Sequence, residues 1–309
     1  MTESTNNVKK EGFSQGIGRW LGTAEVYDGH GRFLGNATDQ RHVQRVVGED
    51  AVRIDLSFVG PFKFAGHYTI ADRKTHRLYQ GPANYGYAET LSNGLIDANA
   101  YWPVTGLSQR FFLMVLPDGD RQLSLALMSR GEQLIYVVVG DYVRVNDEGY
   151  LPNPTLLDGT SYDLADDPAG GRGQILMHRL GRWSGTLTQL DEALEVQQTA
   201  AYTETVSACS PKLAVTIETN AFGISSYSTP FKTNGWQAWT PAGEVVGSYS
   251  LSGGRALSGH FHHLEQNLRV WRREVINHDG TIKAVLHNWY RGGVRVGVQF
   301  GVLTFEAAA

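Results

Sequence analysis

The sequence predicts an all-β protein made of two tandem antiparallel β-barrels that arose by internal duplication. The first observation is a repeated motif, because GRWLGT at residues 18–23 recurs as GRWSGT at residues 181–186. A second match, between residues 91–94 and 251–254, keeps nearly the same spacing. Two anchors at almost constant spacing indicate two copies of one domain.

The second observation is the abundance of glycine between short runs of strand-forming residues. The chain has 36 Gly among 309 residues, well above the usual share of roughly 7%. Turn pairs such as Asp28-Gly29 follow several runs rich in Val, Ile, Phe, Tyr and Thr, which is typical of antiparallel strands. The runs predict strands at 20–27, 51–58, 62–70, 95–101, 110–116, 123–128 and 134–145, and again at 183–190, 200–208, 213–218, 256–262, 268–276, 281–290 and 294–305.

The third observation is alternation within these strands. Residues 52–58 alternate strictly between apolar and polar side chains, so one face of the strand is expected to be buried and the other solvated. About eight such strands can close into a barrel, and a barrel of that size can hold one small ligand. Two copies therefore predict two barrels.

The boundaries follow from where the strand pattern stops. Residues 1–15 are polar and predict a flexible tail, and residues 16–145 form the first predicted barrel. Prolines and the glycine-rich run at 170–173 interrupt the pattern between residues 146 and 174, which predicts a linker. Residues 175–309 form the second predicted barrel.

Composition excludes several classes of protein. The net charge is −4 and the basic residues are scattered, so no nucleic-acid partner is expected. No apolar run approaches the roughly 20 residues that cross a bilayer, so no membrane insertion is expected. Cys209 is the only cysteine, which rules out an internal disulfide and favours a reducing, cytoplasmic location. The glycine-rich runs lack the Lys and Ser/Thr of a phosphate-binding loop, so no nucleotide site is predicted.

The opening motif of each copy resembles that of lipocalin-like (calycin) barrels. In those proteins a Gly-x-Trp triplet begins the first strand and the Trp closes the barrel floor, which corresponds here to Trp20 and Trp183. The second copy, residues 181–306, is similar to cyanobacterial lyase-like and nitrobindin-like barrels. The resemblance implies functions such as carrying apolar molecules, attaching tetrapyrroles, binding haem, or cyclising, hydrating or isomerising hydrophobic metabolites. It implies no particular catalytic residue.

Aromatic residues and histidines gather in two segments that could surround a ligand. In the first copy they flank a glycine-rich stretch at residues 81–87, and in the second they follow residue 235. Such side chains are typical of pockets for apolar or aromatic molecules. The predicted substrate-binding residues are Tyr85, Tyr87, Tyr101, Trp102, Trp236, Trp239, Trp271, His287 and Trp289.

Four residues of the second copy are candidates for acid and base catalysis. On an extended strand His260 and His262 share one face and His263 takes the other, so the first pair is expected to enter the barrel together. Histidine titrates near neutrality, Tyr290 could donate a proton, and Arg269 could stabilise an oxyanion. These residues predict a lyase, isomerase or cyclase that works without a cofactor on a hydrophobic small molecule.

Other functions remain open from the sequence. A binding or carrier protein would also place Tyr, Trp and His inside its barrel. A metal site could form from His260, His262 and His287, and a single His could ligate haem. The two copies differ in their aligned segments, 100–102 and 260–262. We therefore expect either one functional barrel or a site where the two meet, in a protein that could also form a homodimer.

Overall fold

The computed structural model describes residues 13–73, 75–146, 175–209, 212–234, 236–240 and 243–308. The chain divides into two compact units, Met1–Asp167 and Pro168–Ala309. Residues 147–174, which make up nearly all of the predicted linker, lie outside the described residues, as do residues 1–12 of the predicted tail. Residues 13–15 already belong to the first unit, since Phe13 is buried in its core and Ser14–Gly16 forms a 3₁₀ turn.

The described residues of the first unit form one closed antiparallel barrel of ten strands. Each strand pairs with its neighbour in sequence, and β1 closes the barrel by pairing with β10. The strands are β1 Gly18–Asp28, β2 Phe33–Arg45, β3 Ala51–Val59, β4 Lys63–Arg73, β5 His76–Gln80, β6 Tyr85–Ser92, β7 Leu95–Trp102, β8 Leu107–Val115, β9 Arg121–Arg130 and β10 Gln133–Val145.

The second unit repeats this plan. A 3₁₀ turn at Leu176–His178 precedes ten strands, of which β11 pairs with both β12 and β20 to close the barrel. The strands are β11 Gly181–Leu190, β12 Val196–Cys209, β13 Lys212–Ala221, β14 Ile224–Asn234, β15 Gln237–Trp239, β16 Val245–Ser252, β17 Ala256–His263, β18 Leu268–Ile276, β19 Ile282–Arg291 and β20 Val294–Ala307.

The predicted fold class is confirmed, but each barrel has ten strands rather than about eight. The sequence did not predict β2, β5 and β6 in the first unit, nor β14, β15 and β16 in the second. In β2 the reason is chemical: Thr38, Asp39 and Gln40 are all buried, so polar residues interrupt the alternation by which a half-buried strand is recognised.

The repeated Gly-x-Trp motif closes one end of each barrel, which we call the floor. Trp20 and Trp183 are fully buried, and Trp20 Nε1 donates a hydrogen bond of 2.8 Å to Gly16 O. The glycines that open the motif, Gly18 and Gly181, have φ values of +132° and +145°, a conformation that side-chain-bearing residues rarely adopt. The opposite end of each barrel is called the mouth below.

In both barrels alternate residues point into the interior. In β18, for example, Leu268, Val270 and Arg272 are buried, whereas Arg269 and Trp271 between them are only partly buried, as the pleat of a strand requires. Polar side chains thus enter each barrel among apolar ones. Within the described residues no helix is long and apolar enough to span a bilayer.

Candidate functional site

The first barrel contains an internal cavity of about 40 Å³. This volume holds about three water molecules or one polar group of a ligand. Its walls combine aromatic and aliphatic side chains with a set of polar ones. The polar lining residues are Asp39, Arg41, Tyr68, Tyr79, Asn84, Gln109, Ser124 and Tyr142.

An ion pair and a tyrosine form the polar end of this cavity, nearer the floor. Arg41 Nη2 donates to Asp39 Oδ2 at 2.6 Å and to Tyr142 Oη at 2.6 Å. Tyr142 Oη donates in turn to Asp39 Oδ2 at 2.8 Å and lies 3.3 Å from Ser124 Oγ. Gly22 makes room for the Tyr142 ring, because a Cβ at Gly22 would collide with it. These groups therefore hold one another in fixed positions.

The electrostatics of this end keep both partners in defined protonation states. Burial alone would lower the pKa of Arg41, but Asp39 and Tyr142 raise it above its ordinary value. Burial raises the pKa of Tyr142 above that of free tyrosine. Arg41 is therefore a permanent cation and Tyr142 a neutral hydroxyl, which can donate a hydrogen bond but does not ionise near neutral pH.

The mouth end of the cavity is aromatic. Phe58 stacks on Phe62 with 4.6 Å between ring centroids, and Phe62 contacts Tyr136 at 4.8 Å. Phe64 lies 5.0 Å from Trp102. Phe62 and Phe64 are only partly buried, so they form the boundary between the cavity and solvent.

Two buried polar atoms in the cavity wall have no hydrogen-bond partner among the described residues. They are the hydroxyl of Tyr79 and Oδ1 of Asn84, whose residues are 3% and 1% exposed. Trp102 Nε1, in contrast, donates to Gln109 Oε1 at 2.8 Å. Burial raises the pKa of Tyr79, so its hydroxyl is a neutral donor. An unpaired buried polar group is unfavourable, and a ligand with a donor and an acceptor would satisfy both atoms.

The interior of the second barrel is occupied by a charged network instead. Arg272 Nη2 donates to Glu204 Oε2 at 2.6 Å, and Arg272 Nε donates to Glu274 Oε1 at 2.6 Å. Lys283 Nζ lies 2.8 Å from Glu204 Oε1 and 3.2 Å from Glu274 Oε2. His287 Nε2 lies 2.9 Å from Glu274 Oε1. Two cations thus balance two carboxylates.

The network determines the charge state of its members. Burial would raise the pKa of Glu274, but Arg272 and Lys283 hold it well below its ordinary value. Burial lowers the pKa of His287 despite the nearby carboxylate. Glu274 is therefore ionised and His287 neutral, with its Nε2 proton donated to Glu274. Charges that are mutually satisfied in this way favour a structural role.

The structure reverses the predicted orientation of the β17 histidines. Phe261 and His263 are buried in the second barrel, at 2% exposure each, whereas His260 and His262 are exposed on its outer face. The expectation that His260 and His262 enter the barrel was therefore wrong. Alternation predicts which residues share a face, and the apolar Phe261 settles which face is internal. The three-histidine metal site also fails, because His287 lies inside the barrel.

The other predicted catalytic residues meet on the outer face. His262 pairs with Arg269, and Arg269 pairs with Tyr290, across β17, β18 and β19. The Arg269 guanidinium lies 4.6 Å from the centre of the Tyr290 ring. His260 instead stacks on Trp271 with 5.6 Å between ring centroids. In the described part of the chain, no group of three or more His, Cys, Asp or Glu side chains could hold a metal ion.

The predicted substrate-binding residues are distributed over several surfaces. Trp102 lines the cavity of the first barrel, and His287 and Trp289 are buried in the second. The remaining six are partly or well exposed. These are Tyr85 and Tyr101, which contact each other at 5.3 Å between centroids, together with Tyr87, Trp236, Trp239 and Trp271.

Sequence reasoning missed the charged residues that the two interiors depend on. These residues are Asp39 and Arg41 in the first barrel, and Glu204, Arg272, Glu274 and Lys283 in the second. A signal was present in the second copy, where Lys283 stands between Ile282 and Ala284 at the start of an apolar run. A lone charge in such a run indicates a buried ion pair.

Three solved structures match this chain, one of them over nearly its whole length. A protein of unknown function from the DUF3598 family of Nostoc punctiforme matches with a TM-score of 0.56 and 14% identity, over 95% of this chain and 97% of that one. The S-type phycobiliprotein lyase CpeS of Guillardia theta matches 45% of this chain, with a TM-score of 0.34 and 10% identity. A redesigned β-barrel, mFAP0, bound to DFHBI, matches 42% with a TM-score of 0.27 and 13% identity.

The first of these matches confirms the predicted architecture along nearly the whole chain. The other two cover about one barrel each, and at such TM-scores they carry no conclusion on function. No protein-family model and no curated protein sequence matches this chain.

Proposed function

We propose that the first barrel binds a small molecule that has an aromatic or apolar body and a neutral polar end. The observation that carries this proposal is the pair of unpartnered polar atoms, Tyr79 Oη and Asn84 Oδ1, in the wall of the cavity. A packed structural core would pair or exclude such groups. The ligand supplies the missing acceptor and donor.

The shape of the cavity limits what the ligand can be. The polar end of the ligand occupies the 40 Å³ cavity, and its body lies against Phe62 and Phe64 at the mouth. Arg41 is already paired with Asp39, so the site offers no free cation for a carboxylate. A hydroxyl, carbonyl or amide on a planar or apolar body fits these groups best.

The test is extraction and mass spectrometry of small molecules that copurify with the full chain, followed by titration with 2-naphthol. The decisive variant is Ala98→Leu, because Ala98 lines the cavity and a larger side chain would fill it. The matched control is Ala65→Leu, which adds the same side chain at an exposed position of β4.

We expect wild type and Ala65→Leu to bind the copurified molecule or 2-naphthol, and Ala98→Leu to lose at least about tenfold in affinity. Equal binding by Ala98→Leu would overturn the proposal. So would the lack of both a copurified molecule and 2-naphthol binding in the wild type. A melting curve of Ala98→Leu confirms that the first barrel is still folded.

Catalysis on the bound molecule is a finer proposal, that of a cofactor-independent lyase, isomerase or cyclase. The Asp39 carboxylate could accept a proton, while Arg41 and the neutral Tyr142 hydroxyl could stabilise the resulting oxyanion. Its support is that these groups lie together in the cavity wall. If Asp39 is the base, Asp39→Asn should copurify with a substrate that differs chemically from the molecule held by wild type. The same molecule in both would reject catalysis and leave a carrier.

Three expectations from the sequence accompany this proposal. The lone Cys209 supports a reducing, cytoplasmic location. The scattered basic residues argue against a nucleic-acid partner. The homodimer stays a prediction, and sedimentation of the purified chain would test it.

A further inference from the structure

The unpaired polar groups in the cavity of the first barrel are mostly hydrogen-bond donors. Besides the hydroxyl of Tyr79 and Oδ1 of Asn84, the hydroxyl of Tyr68 forms no hydrogen bond with the described residues. Tyr68 lines the same cavity and is only 7% exposed. Polar groups shielded in this way need a partner inside the cavity, and two of the three are hydroxyls.

The two hydroxyls come from tyrosines on neighbouring strands. Tyr79 of β5 pairs with Ile70 of β4, and Tyr68 lies two residues before Ile70, so both tyrosines are on the inner face of the barrel. Their rings stack with 5.8 Å between centroids and 24° between planes. The stacking holds the rings side by side, and both residues line one cavity.

Arg41 adds donors to the same cavity without adding net charge. Its Nε and Nη2 atoms donate to Asp39 and Tyr142, whereas its Nη1 atom donates to none of the described residues. The Asp39 carboxylate therefore neutralises the guanidinium but leaves some of its N–H groups unpaired. Such a site suits an uncharged acceptor better than an anion.

The electrostatics keep both tyrosines protonated and make them good donors. Burial raises the pKa of Tyr68 to about 12 and raises the pKa of Tyr79 as well. The charge of Arg41 acts in the opposite direction on both residues, so its field reaches both hydroxyls. A cation that favours loss of a phenolic proton also favours donation of that proton in a hydrogen bond.

We infer that Tyr68 and Tyr79 bind a carbonyl oxygen of the ligand, with the unpaired N–H groups of Arg41 as additional donors. The ligand class is a ketone or lactone with an aromatic or apolar body. This inference rests on the function proposed for the cavity, because it names the polar end of that ligand. A carbonyl oxygen accepts hydrogen bonds and brings neither a charge nor a proton. Asn84 Oδ1 accepts a hydrogen bond from a hydroxyl or N–H group at a second position of the molecule.

The test is a fluorescence titration of the full chain with 2-acetylnaphthalene and with 2-isopropenylnaphthalene, in which a CH₂ group replaces the carbonyl oxygen. We expect the ketone to bind at least about tenfold more tightly, because the alkene leaves the donors unpaired. Tyr68→Phe and Tyr79→Phe should each weaken ketone binding by about fivefold. They should leave alkene binding unchanged or improve it.

The matched control is Tyr87→Phe, which removes the same hydroxyl from an exposed position of β6. It should change the affinity for neither ligand, and melting curves of all three variants check that the first barrel is folded.

The infrared band of the bound carbonyl group gives a second measurement, isolated by labelling the carbonyl carbon. In wild type the stretching frequency should lie below that of the same ketone in hexane, because hydrogen bonds polarise the carbonyl group. Tyr68→Phe and Tyr79→Phe should raise it, whereas Tyr87→Phe should not.

Equal affinities of wild type for the ketone and the alkene, or a carbonyl frequency that neither Tyr68→Phe nor Tyr79→Phe changes, would overturn the carbonyl inference and leave the binding function standing. If wild type binds neither naphthalene, does not bind 2-naphthol and copurifies with no small molecule, the proposed function fails and this inference fails with it.

Discussion

Arg41 and Glu204 occupy the same position in the two barrels, because each is paired with the floor tryptophan across the first two strands of its barrel. Trp20 pairs with Arg41, and Trp183 pairs with Glu204. The charge at this position is inverted, and the partners have changed with it. Arg41 is matched by Asp39, whereas Glu204 is matched by Arg272 and Lys283.

The unpartnered hydroxyl of Tyr79 leads to a prediction about stability. Tyr79→Phe should leave the free energy of unfolding of the first barrel unchanged or raise it, because the buried hydroxyl it removes bonds to none of the described residues. Tyr142→Phe should cost about 1–3 kcal/mol, because that hydroxyl contacts Arg41 and Asp39. Urea denaturation of both variants measures the difference. Equal losses would show that Tyr79 is paired after all.

The buried network of the second barrel predicts a large loss when one cation is removed. Lys283→Ala should destabilise this barrel by about 3–5 kcal/mol, because Glu204 and Glu274 would lose a shared partner in a buried site. The control is Arg53→Ala in the exposed Arg53–Asp55 pair, which should cost less than about 1 kcal/mol. Denaturation curves for the two barrels test this contrast. Similar small losses would mean that water reaches the network.

Two histidines predict how stability depends on pH. Burial lowers the pKa of His178 and of His263 to about 4 from the ordinary 6.5. The unfolded chain therefore binds more protons than the folded one between these values, and stability falls as pH drops from 6.5 towards 4. The slope is at most about 1.4 kcal/mol per pH unit for each histidine. Above pH 6.5 these residues contribute no dependence.

Urea denaturation between pH 7.5 and 5 measures this slope while most carboxylates stay ionised. His178→Gln can keep a hydrogen bond to Tyr249, which His178 Nε2 meets at 2.8 Å, but it cannot titrate. The slope of its free energy of unfolding against pH should be smaller than that of wild type by up to about 1.4 kcal/mol per pH unit, which corresponds to one proton. An unchanged slope in this variant and in His263→Gln would assign the pH dependence to other groups.

Gly181, the first residue of the repeated motif in the second barrel, has no room for a side chain. Gly181→Ala should destabilise the second barrel by more than about 1–3 kcal/mol, because φ is +145° and the added Cβ would collide with Glu306 O and the Phe305 ring. Gly48→Ala is the control, since its φ is also positive but open space surrounds it. Melting curves separate the cost of collision from that of backbone strain. Equal losses would leave strain as the whole effect.

The architecture could be read from the sequence because duplication and alternation are properties of the chain itself. Trp20 and Trp183 marked the two floors, and Asp28 and Asp191 cap equivalent turns by accepting backbone N–H bonds. The pockets could not be read in the same way. Which side chains meet inside a barrel depends on pairings between distant strands, such as Gly22 with both Asp39 and Tyr142.

The candidate sites show the same limit. Trp102 was predicted to contact a ligand and lines the cavity, but the polar lining residues Asp39 and Tyr79 lie on strands that the sequence did not predict. His260 and His262 were predicted to enter the barrel together and instead lie on its outer face, where His262 pairs with Arg269. The periodicity of one strand shows which residues share a face. Which of the two faces is internal depends on the packing of the whole barrel.

Each barrel closes by pairing between its own strands, and this closure has an evolutionary consequence. Every strand from β1 to β10 finds its backbone partners within the first unit, and every strand from β11 to β20 within the second. A substitution that redesigns one interior therefore leaves the backbone pairing of the other copy intact. Selection could change the charge opposite one floor tryptophan while its duplicate preserved the ancestral arrangement, which makes the two barrels of one gene free to diverge as two genes would.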